Sequence, residues 1–322
     1  MPYISGITVY PVKSLDGIGL EEVAVLQCGT LANDRRWRLV DAEGDVVNAK
    51  KNNRFHAIRA DFHLENSRSY LQNVSVHGQN SVTLSLNKSF SAGNLCDYSP
   101  ETFPLIPGSD GPCEWLSHVL AKKVFLQERV DGGFPDDRDA AGPTIISTAS
   151  LLEVAGWFDL SLDEARNRFR MNLELSSNEN DEAAVGQGFP SREYPTCNVP
   201  FWEDVLACPA SIEALEDPES EYIVDVAPVN PDPFWLGGVE FCAKGIWRRC
   251  VVPTRNSLTG TITKNFRAVF EARRSHLLPN NIVARSWRDY FCLGVNTSIE
   301  KVSGDRLAIG DQLSRDRPMP KT

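Results

Sequence analysis

The sequence predicts a β-rich α+β protein. Two patterns carry that prediction. In the first hundred residues, apolar side chains alternate in short runs broken by polar and glycine-containing turns, which is the period of half-buried strands. From Cys113 onward, helix-length apolar stripes join further short strands. Many short strands with turns between them favour a barrel or sandwich over a parallel α/β sheet. At roughly 100–200 residues per domain, a chain of 322 residues makes two domains or one large one.

Taken in order, Ile4 to Val12 alternates and Val23 to Leu26 is a short apolar run. Trp37 to Val47 reads as a hairpin closing over Asp41-Ala42-Glu43-Gly44. Ala57 to Leu64, Val74 to His77 and Val82 to Leu86 continue the strands. Cys113 to Ala121 places Trp115, Leu116, Val119 and Leu120 on one helical stripe. The Gly-, Pro- and Asp-rich stretch from Asp131 to Pro143 is a loop, and the division between residues 1–130 and 131–322 is placed at it. Thr144 to Thr148 is a strand. Ser150-Leu-Leu-Glu153 and Ser161-Leu-Asp-Glu164 are capping boxes opening two helices. Asn178 to Pro195, Asp217 to Glu221 and Pro228 to Pro233 read as surface insertions. Val239 to Phe241 and Trp247 to Val252 are strands, Phe266 to Arg274 is a helix, and Leu307 to Leu313 closes the chain.

Lys and Arg number 33 against 43 Asp and Glu, a net charge of −10, which argues against a nucleic-acid partner. No run of about 18 apolar residues predicts a membrane span, and the start lacks a signal-peptide pattern. Eight scattered Cys without a C-x-x-C pair fit a reducing compartment, so the expectation is a cytoplasmic protein. The common nucleotide-binding, zinc-protease and α/β-hydrolase motifs are missing. The five dispersed His give histidine chemistry little support.

What stands out is basic residues set beside apolar strands. Tyr10-Pro-Val-Lys13-Ser14 offers a cation and a hydroxyl suited to a phosphate, although the pentapeptide alone favours a solvated strand end. In Asn33-Asp34-Arg35-Arg36-Trp37 the arginines precede a strand, and an Asp–Arg turn fixing the hairpin is an equal reading. In Ile246-Trp-Arg-Arg-Cys250, alternation predicts Arg248 and Cys250 on one face and Arg249 on the other. A guanidinium beside a thiol favours the thiolate, which is a nucleophile and a soft-metal ligand. A free Cys is also among the most buried residues, and that role fits the other seven. Arg170 and Asn172, read as alternate strand residues, offer two donors to one ligand, though a cation at a helix end needs only the dipole. Glu203-Asp204 is a candidate acid–base pair, although adjacent acids in a turn are commonly surface residues.

As a set, these residues resemble a known family. Tyr10-Pro-Val-Lys-Ser14 followed by Gly29-x-x-x-x-Asp34-Arg35-x-Trp37-x-x-Val40-Asp41-x-x-Gly44 resembles the N-terminal β-barrel region of MOSC-domain proteins. Phe169-Arg170-x-Asn172, Arg249-Cys250-x-x-x-Thr254 with Thr259-Gly260, and Gly294-x-Asn296 with Gly310-Asp311 resemble the MOSC domain itself. The resemblance implies an N-terminal β-barrel region followed by a MOSC β-barrel domain with a few helices. It also implies binding of the molybdenum cofactor, a pterin that bears a phosphate and a dithiolene. Cys250 falls where the family ligates molybdenum. Lys13, Ser14, Arg35, Arg170 and Asn172 fall where it holds pterin and phosphate, and Arg249 and Asn296 stand in the matching segments.

The nearest catalytic relatives are the amidoxime-reducing components and bacterial reductases of N-hydroxylated compounds. The implied activity is therefore reduction of an N-hydroxylated small molecule, with electrons from a separate protein, since the sequence clusters no cysteines for an iron–sulfur centre. The alternatives are a non-catalytic carrier of the cofactor or of sulfur, and a β-rich interaction protein. A pyridoxal-phosphate sulfurase is disfavoured by length. Departures from the pattern are Met171 in place of a common Pro, Lys50-Lys51 in place of Arg, and a long stretch from Asp204 to Gly238.

Overall fold

The computed structural model describes residues 1–64, 80–87, 99–108, 110–178, 197–207, 232–278, 290–302 and 305–316. The first alternating run forms β1 (Tyr3–Val9), with Ile4, Ile7 and Val9 buried and an irregularity between Ile4 and Gly6. β2 (Ile18–Leu20) pairs with it, and β3 (Glu22–Ala24) follows. β4 (Trp37–Val40) and β5 (Val46–Val47) form the predicted hairpin, with Gly44 at φ 86° in its turn. β6 (Ile58–His63), β7 (Ser81–Leu86) and β8 (Glu101–Pro104) make an antiparallel sheet. α1 (Asp110–Leu120) buries Leu116, Val119 and Leu120, and β9 (Phe125–Glu128) returns to pair with β4. Val74 to His77 lies outside the described residues.

β10 (Ile145–Ser147) leads into α2 (Thr148–Trp157) and α3 (Leu162–Phe169), and then β11 (Leu173–Ser176) runs parallel to β10. A parallel pair needs a crossover, and the two helices supply it. β12 (Phe234–Leu236), β13 (Val239–Arg248), α4 (Phe266–Arg274), β14 (Cys292–Ser298), β15 (Arg306–Ala308) and β16 (Leu313–Ser314) follow. The main sheet has the order β16-β12-β13-β14-β10-β11-β1-β2 and curls into a half barrel. The expected β-rich class with few helices and a barrel-type N-terminal region is therefore observed. Strands from both sides of residue 130 share this sheet, since β11 hydrogen-bonds to β1.

Three local expectations are corrected. Ser161 caps α3 as predicted, accepting from the Glu164 amide at 3.1 Å. The cap of α2, however, is Ser147 and not Ser150: the helix already starts at Thr148, Ser147 Oγ accepts from Ser150 N, and Ser150 Oγ accepts from Phe201 N at 2.6 Å. The two strands read around Val239 and Trp247 are one strand, β13, which ends at Arg248. Arg170 is the C-cap of α3, in the left-handed region at φ 54°, and β11 starts only at Leu173. Of the stretches read as insertions, only Asn178, Asp232 and Pro233 are described, so those readings lie outside the described residues.

The adjacent acids Glu203 and Asp204 are 0% and 1% exposed, which overturns the surface expectation. Ser147 and Ser150 each donate to Glu203 Oε2 at 2.8 Å, while Asp204 pairs with the fully buried Arg274. Burial first, and the Asp204 charge second, push the Glu203 carboxyl from 4.5 up to about 7, against the pull of its hydrogen bonds. The folded chain then holds this proton longer than the unfolded chain does, so rising pH disfavours folding between the two values. In urea unfolding, the stability of the wild type relative to Glu203→Gln is expected to fall as pH rises from 4.5 to about 7. Parallel pH profiles for the two proteins would contradict the burial of an acid titrating there.

Candidate functional site

The first wall of the site is built by two neighbouring segments. Arg35 N donates to Tyr10 O, Trp37 N to Pro11 O and Lys13 N to Trp37 O, at 2.8–3.0 Å, so residues 10–13 run beside residues 35–37. This brings Lys13 and Arg35 together across more than twenty residues of sequence. Ser14 and Arg35 hold φ of 77° and 50°, and with Arg170 they are three non-glycine wall residues in the left-handed region. Such strain is concentrated where surrounding contacts over-determine the backbone. Here Ser14 Oγ accepts from Ala49 N at 3.1 Å, and Arg170 donates to Leu15 O at 2.6 Å.

The opposite wall comes from the end of β13 and the segment after it. Irregularities in β13 between Ala243 and Gly245 and between Ile246 and Arg248 break the alternation. β13 ends at Arg248, so Arg249 and Cys250 lie beyond the regular alternation, and Arg248, Arg249 and Cys250 all line one cavity. Arg249 donates to Phe169 O, reaches Met171 Sδ at 3.4 Å and lies 5.6 Å from the Phe169 ring. The cavity has a volume of about 600 Å³, within the usual range for small-molecule sites. Its walls carry eleven Lys and Arg against three Asp, a strongly basic hollow in an acidic chain.

Asp136, from the Gly- and Pro-rich loop, enters this basic cluster. Its carboxylate lies 2.7 Å from Lys13 Nζ and 3.9 Å from Arg35 Nε. Burial alone would raise its pKa, but Arg35 and Lys13 outweigh that and hold it at about 2. The loop can approach because Gly133, at φ 59°, lets its Cα sit where a Cβ would lie 2.6 Å from Asp34 O. Burial depresses Arg170 and brings Arg249 down to about 10. Tyr10 packs between the basic groups, 4.1 Å from the Arg170 guanidinium and 5.8 Å from that of Arg35. Burial raises its hydroxyl to about 12.

Lys13, Ser14, Arg35, Arg170, Arg249, Cys250 and Asn296 thus line one cavity. Asn172 does not. It is 2% exposed, its Oδ1 accepts from Thr144 N and Thr144 Oγ1 at 3.2 and 3.0 Å and from Arg35 at 3.5 Å, and its Nδ2 donates to Thr8 O at 3.0 Å. With these bonds inside the protein, Asn172 braces Arg35 from outside the cavity lining. Glu203 and Asp204 are not among the cavity's lining residues either. Of the other cysteines, Cys28 is exposed and so is not a packing residue, while Cys96 and Cys208 lie outside the described residues.

Sequence reasoning missed Asp136, His56 and Arg255 as wall residues. Their partners are distant in sequence, and no short motif marks them. Four buried polar atoms on the wall, His56 Nε2, Arg59 Nε, Arg249 Nε and Asn296 Oδ1, have no hydrogen-bond partner among the described residues. Unpaired buried polar groups are uncommon enough to need an explanation, and a ligand of the cavity is one.

No curated protein matches this chain. Residues 1–123 match the family model of the MOSC N-terminal beta barrel domain, and this match, over the segment that supplies Lys13, Ser14 and Arg35, supports a MOSC-domain protein.

Proposed function

We propose that the chain binds the molybdenum cofactor in this cavity, with Cys250 as the protein's ligand to molybdenum, and reduces N-hydroxylated small molecules. The observation that carries the reading is the convergence of a half-buried thiol, basic side chains and four partnerless buried polar atoms on one cavity. MOSC domains are linked to molybdenum-cofactor binding in general, and the match over residues 1–123 agrees with this reading.

The residues present fit the group. Lys13, Arg35 and Arg170 supply charge for a phosphate, with the Ser14 hydroxyl beside them. Asn296 Oδ1 is an acceptor for an N–H of a pterin, and Arg249 Nε is a donor to a ring acceptor. The Cys250 thiolate is a soft ligand suited to a sulfur-rich metal shell. When bound, the cofactor supplies a two-electron centre able to take oxygen from a substrate. The protein's share is to orient the pterin, neutralise its phosphate, keep the thiolate accessible and shape the remaining space for a small molecule. A separate electron-transfer protein delivers the electrons.

The test is metal and pterin analysis of the full chain made in a host that produces the cofactor. The expected result is about one molybdenum and one pterin per chain, with reduction of an N-hydroxylated probe when a competent donor is supplied. Protein that carries neither under those conditions overturns the reading. Bound cofactor without turnover reduces it to carriage of the cofactor.

A further inference from the structure

Among the described residues, the positive charge of the cavity is not spread evenly. Near the loop, Lys13 and Arg35 already face Asp136, and Arg35 also pairs with Asp34. Elsewhere on the wall Arg168 pairs with Glu164 at 2.6 Å and Lys244 with Glu300 at 3.5 Å. By contrast, Arg170 and Arg255 have no carboxylate within 4.0 Å. They hold only the backbone carbonyls of Leu15, at 2.6 Å, and Ala49, at 2.7 Å. The excess charge therefore sits around His56. The Arg59 guanidinium donates to His56 O at 3.0 Å and to Ser257 O at 3.3 Å, with Asp16 as its counter-ion at 3.3 Å.

His56 is only 7% exposed, yet its Nε2 faces no partner on the cavity wall. Its ring packs against Gly260, whose φ of 68° and missing side chain leave room for it. A Cβ on Gly260 would lie 3.3 Å from His56 Cδ2. Half-buried guanidinium groups, of which Arg255 has no carboxylate within 4.0 Å, beside an unsatisfied imidazole nitrogen, form a preorganised anion site.

We infer that the cavity has a second oxyanion site on the His56 side, formed by Arg255 and Arg59 with the His56 imidazole, for a phosphate-type group distinct from any group held near Lys13, Arg35 and Arg170. The site goes beyond the cofactor reading, because it needs neither metal nor pterin. Two sources could bring such a group: the far end of an elongated, nucleotide-bearing cofactor, or an anionic small molecule processed in the cavity.

The test is titration of the full chain, freed of small molecules, with inorganic phosphate, followed by calorimetry and by the imidazole resonances of His56. Phosphate is expected to shift those resonances. Arg255→Gln and His56→Gln should each weaken this binding about tenfold or more, and Lys13→Gln less than about twofold. In the unaltered chain, phosphate binding that leaves the His56 resonances unmoved overturns the inference, as does folded Arg255→Gln and His56→Gln protein with wild-type affinity. A cofactor-loaded preparation that still takes up phosphate at His56 assigns the site to a separate anionic ligand. A loaded preparation that takes up none, and releases a nucleotide-bearing pterin on denaturation, assigns it to the cofactor. Phosphate binding at His56 in protein that never acquires molybdenum would leave the inference standing and remove the cofactor reading.

Discussion

Arg274→Met is expected to destabilise the fold by about 3–5 kcal/mol, more than any surface substitution should. Arg274 is 0% exposed at the end of α4, and its partner Asp204 is 1% exposed in the short turn at residues 202–207. The guanidinium also donates to Cys292 O on β14 at 3.3 Å and to Leu277 O at 3.4 Å, and lies 4.1 Å from the Phe201 ring. One side chain therefore ties together a helix, a strand and a turn. Burial already pushes the Asp204 carboxyl upward, and Arg274 is what opposes that push. Removing the cation leaves a carboxylate in the core that must either stay charged without compensation or take up a proton. A like-sized neutral pair removes the charge from both sides, so Asp204→Asn with Arg274→Met should recover a large part of the loss. Urea unfolding at pH 7 measures both variants. A single-variant loss below about 1 kcal/mol would show that the pair is not held in the dry core that its burial describes.

Local periodicity made much of the fold legible. The β1 alternation, the Asp41 to Gly44 turn, the Ser161 box and the Phe266 to Arg274 stripe each depend on residues within one or two turns of each other, and each formed where expected. Failures came where a distant residue decided the local outcome. Ser150 begins a perfectly good capping box, but the amide of Phe201, 51 residues away, takes its hydroxyl oxygen, and Ser147 caps the helix. Arg249 belongs opposite Cys250 in a regular strand, yet β13 ends at Arg248 and both residues line the same cavity. Asn172 looked like a ligand donor because the turn at Arg170 was not visible, and that turn is what carries Asn172 beneath Arg35.

The site followed the same division. Lys13, Arg35 and Cys250 were legible because each stands in a recognisable local motif. His56, Arg255 and Asp136 were not, since their importance comes only from the neighbours that the fold supplies. The chain's net charge of −10 gave no hint of a cavity wall with eleven basic residues, because a total is blind to where charge gathers.

Cys250→Ser is expected to separate the site from the fold. Cys250 lies two residues past the end of β13, half-buried at the cavity wall, so the loss of its sulfur opens no core cavity. Stability should therefore change by less than about 1 kcal/mol. The ligand chemistry changes far more, because a serine hydroxyl does not ionise near neutral pH and is a hard oxygen donor where a thiolate is a soft sulfur one. If the thiolate is the protein's bond to molybdenum, metal content and reductase turnover should both fall at least about tenfold while the unfolding curve stays in place. On the same reading the phosphate and pterin contacts would not involve this sulfur, so some pterin should remain associated through Lys13, Arg170 and Asn296. That retention distinguishes loss of a ligand from collapse of the cavity. Cys28→Ser is the matched control: Cys28 is exposed and absent from the cavity lining, and its replacement should leave metal content unchanged. Equal molybdenum and equal turnover in the two variants would remove Cys250 as the ligand, even if the cavity itself still binds the cofactor.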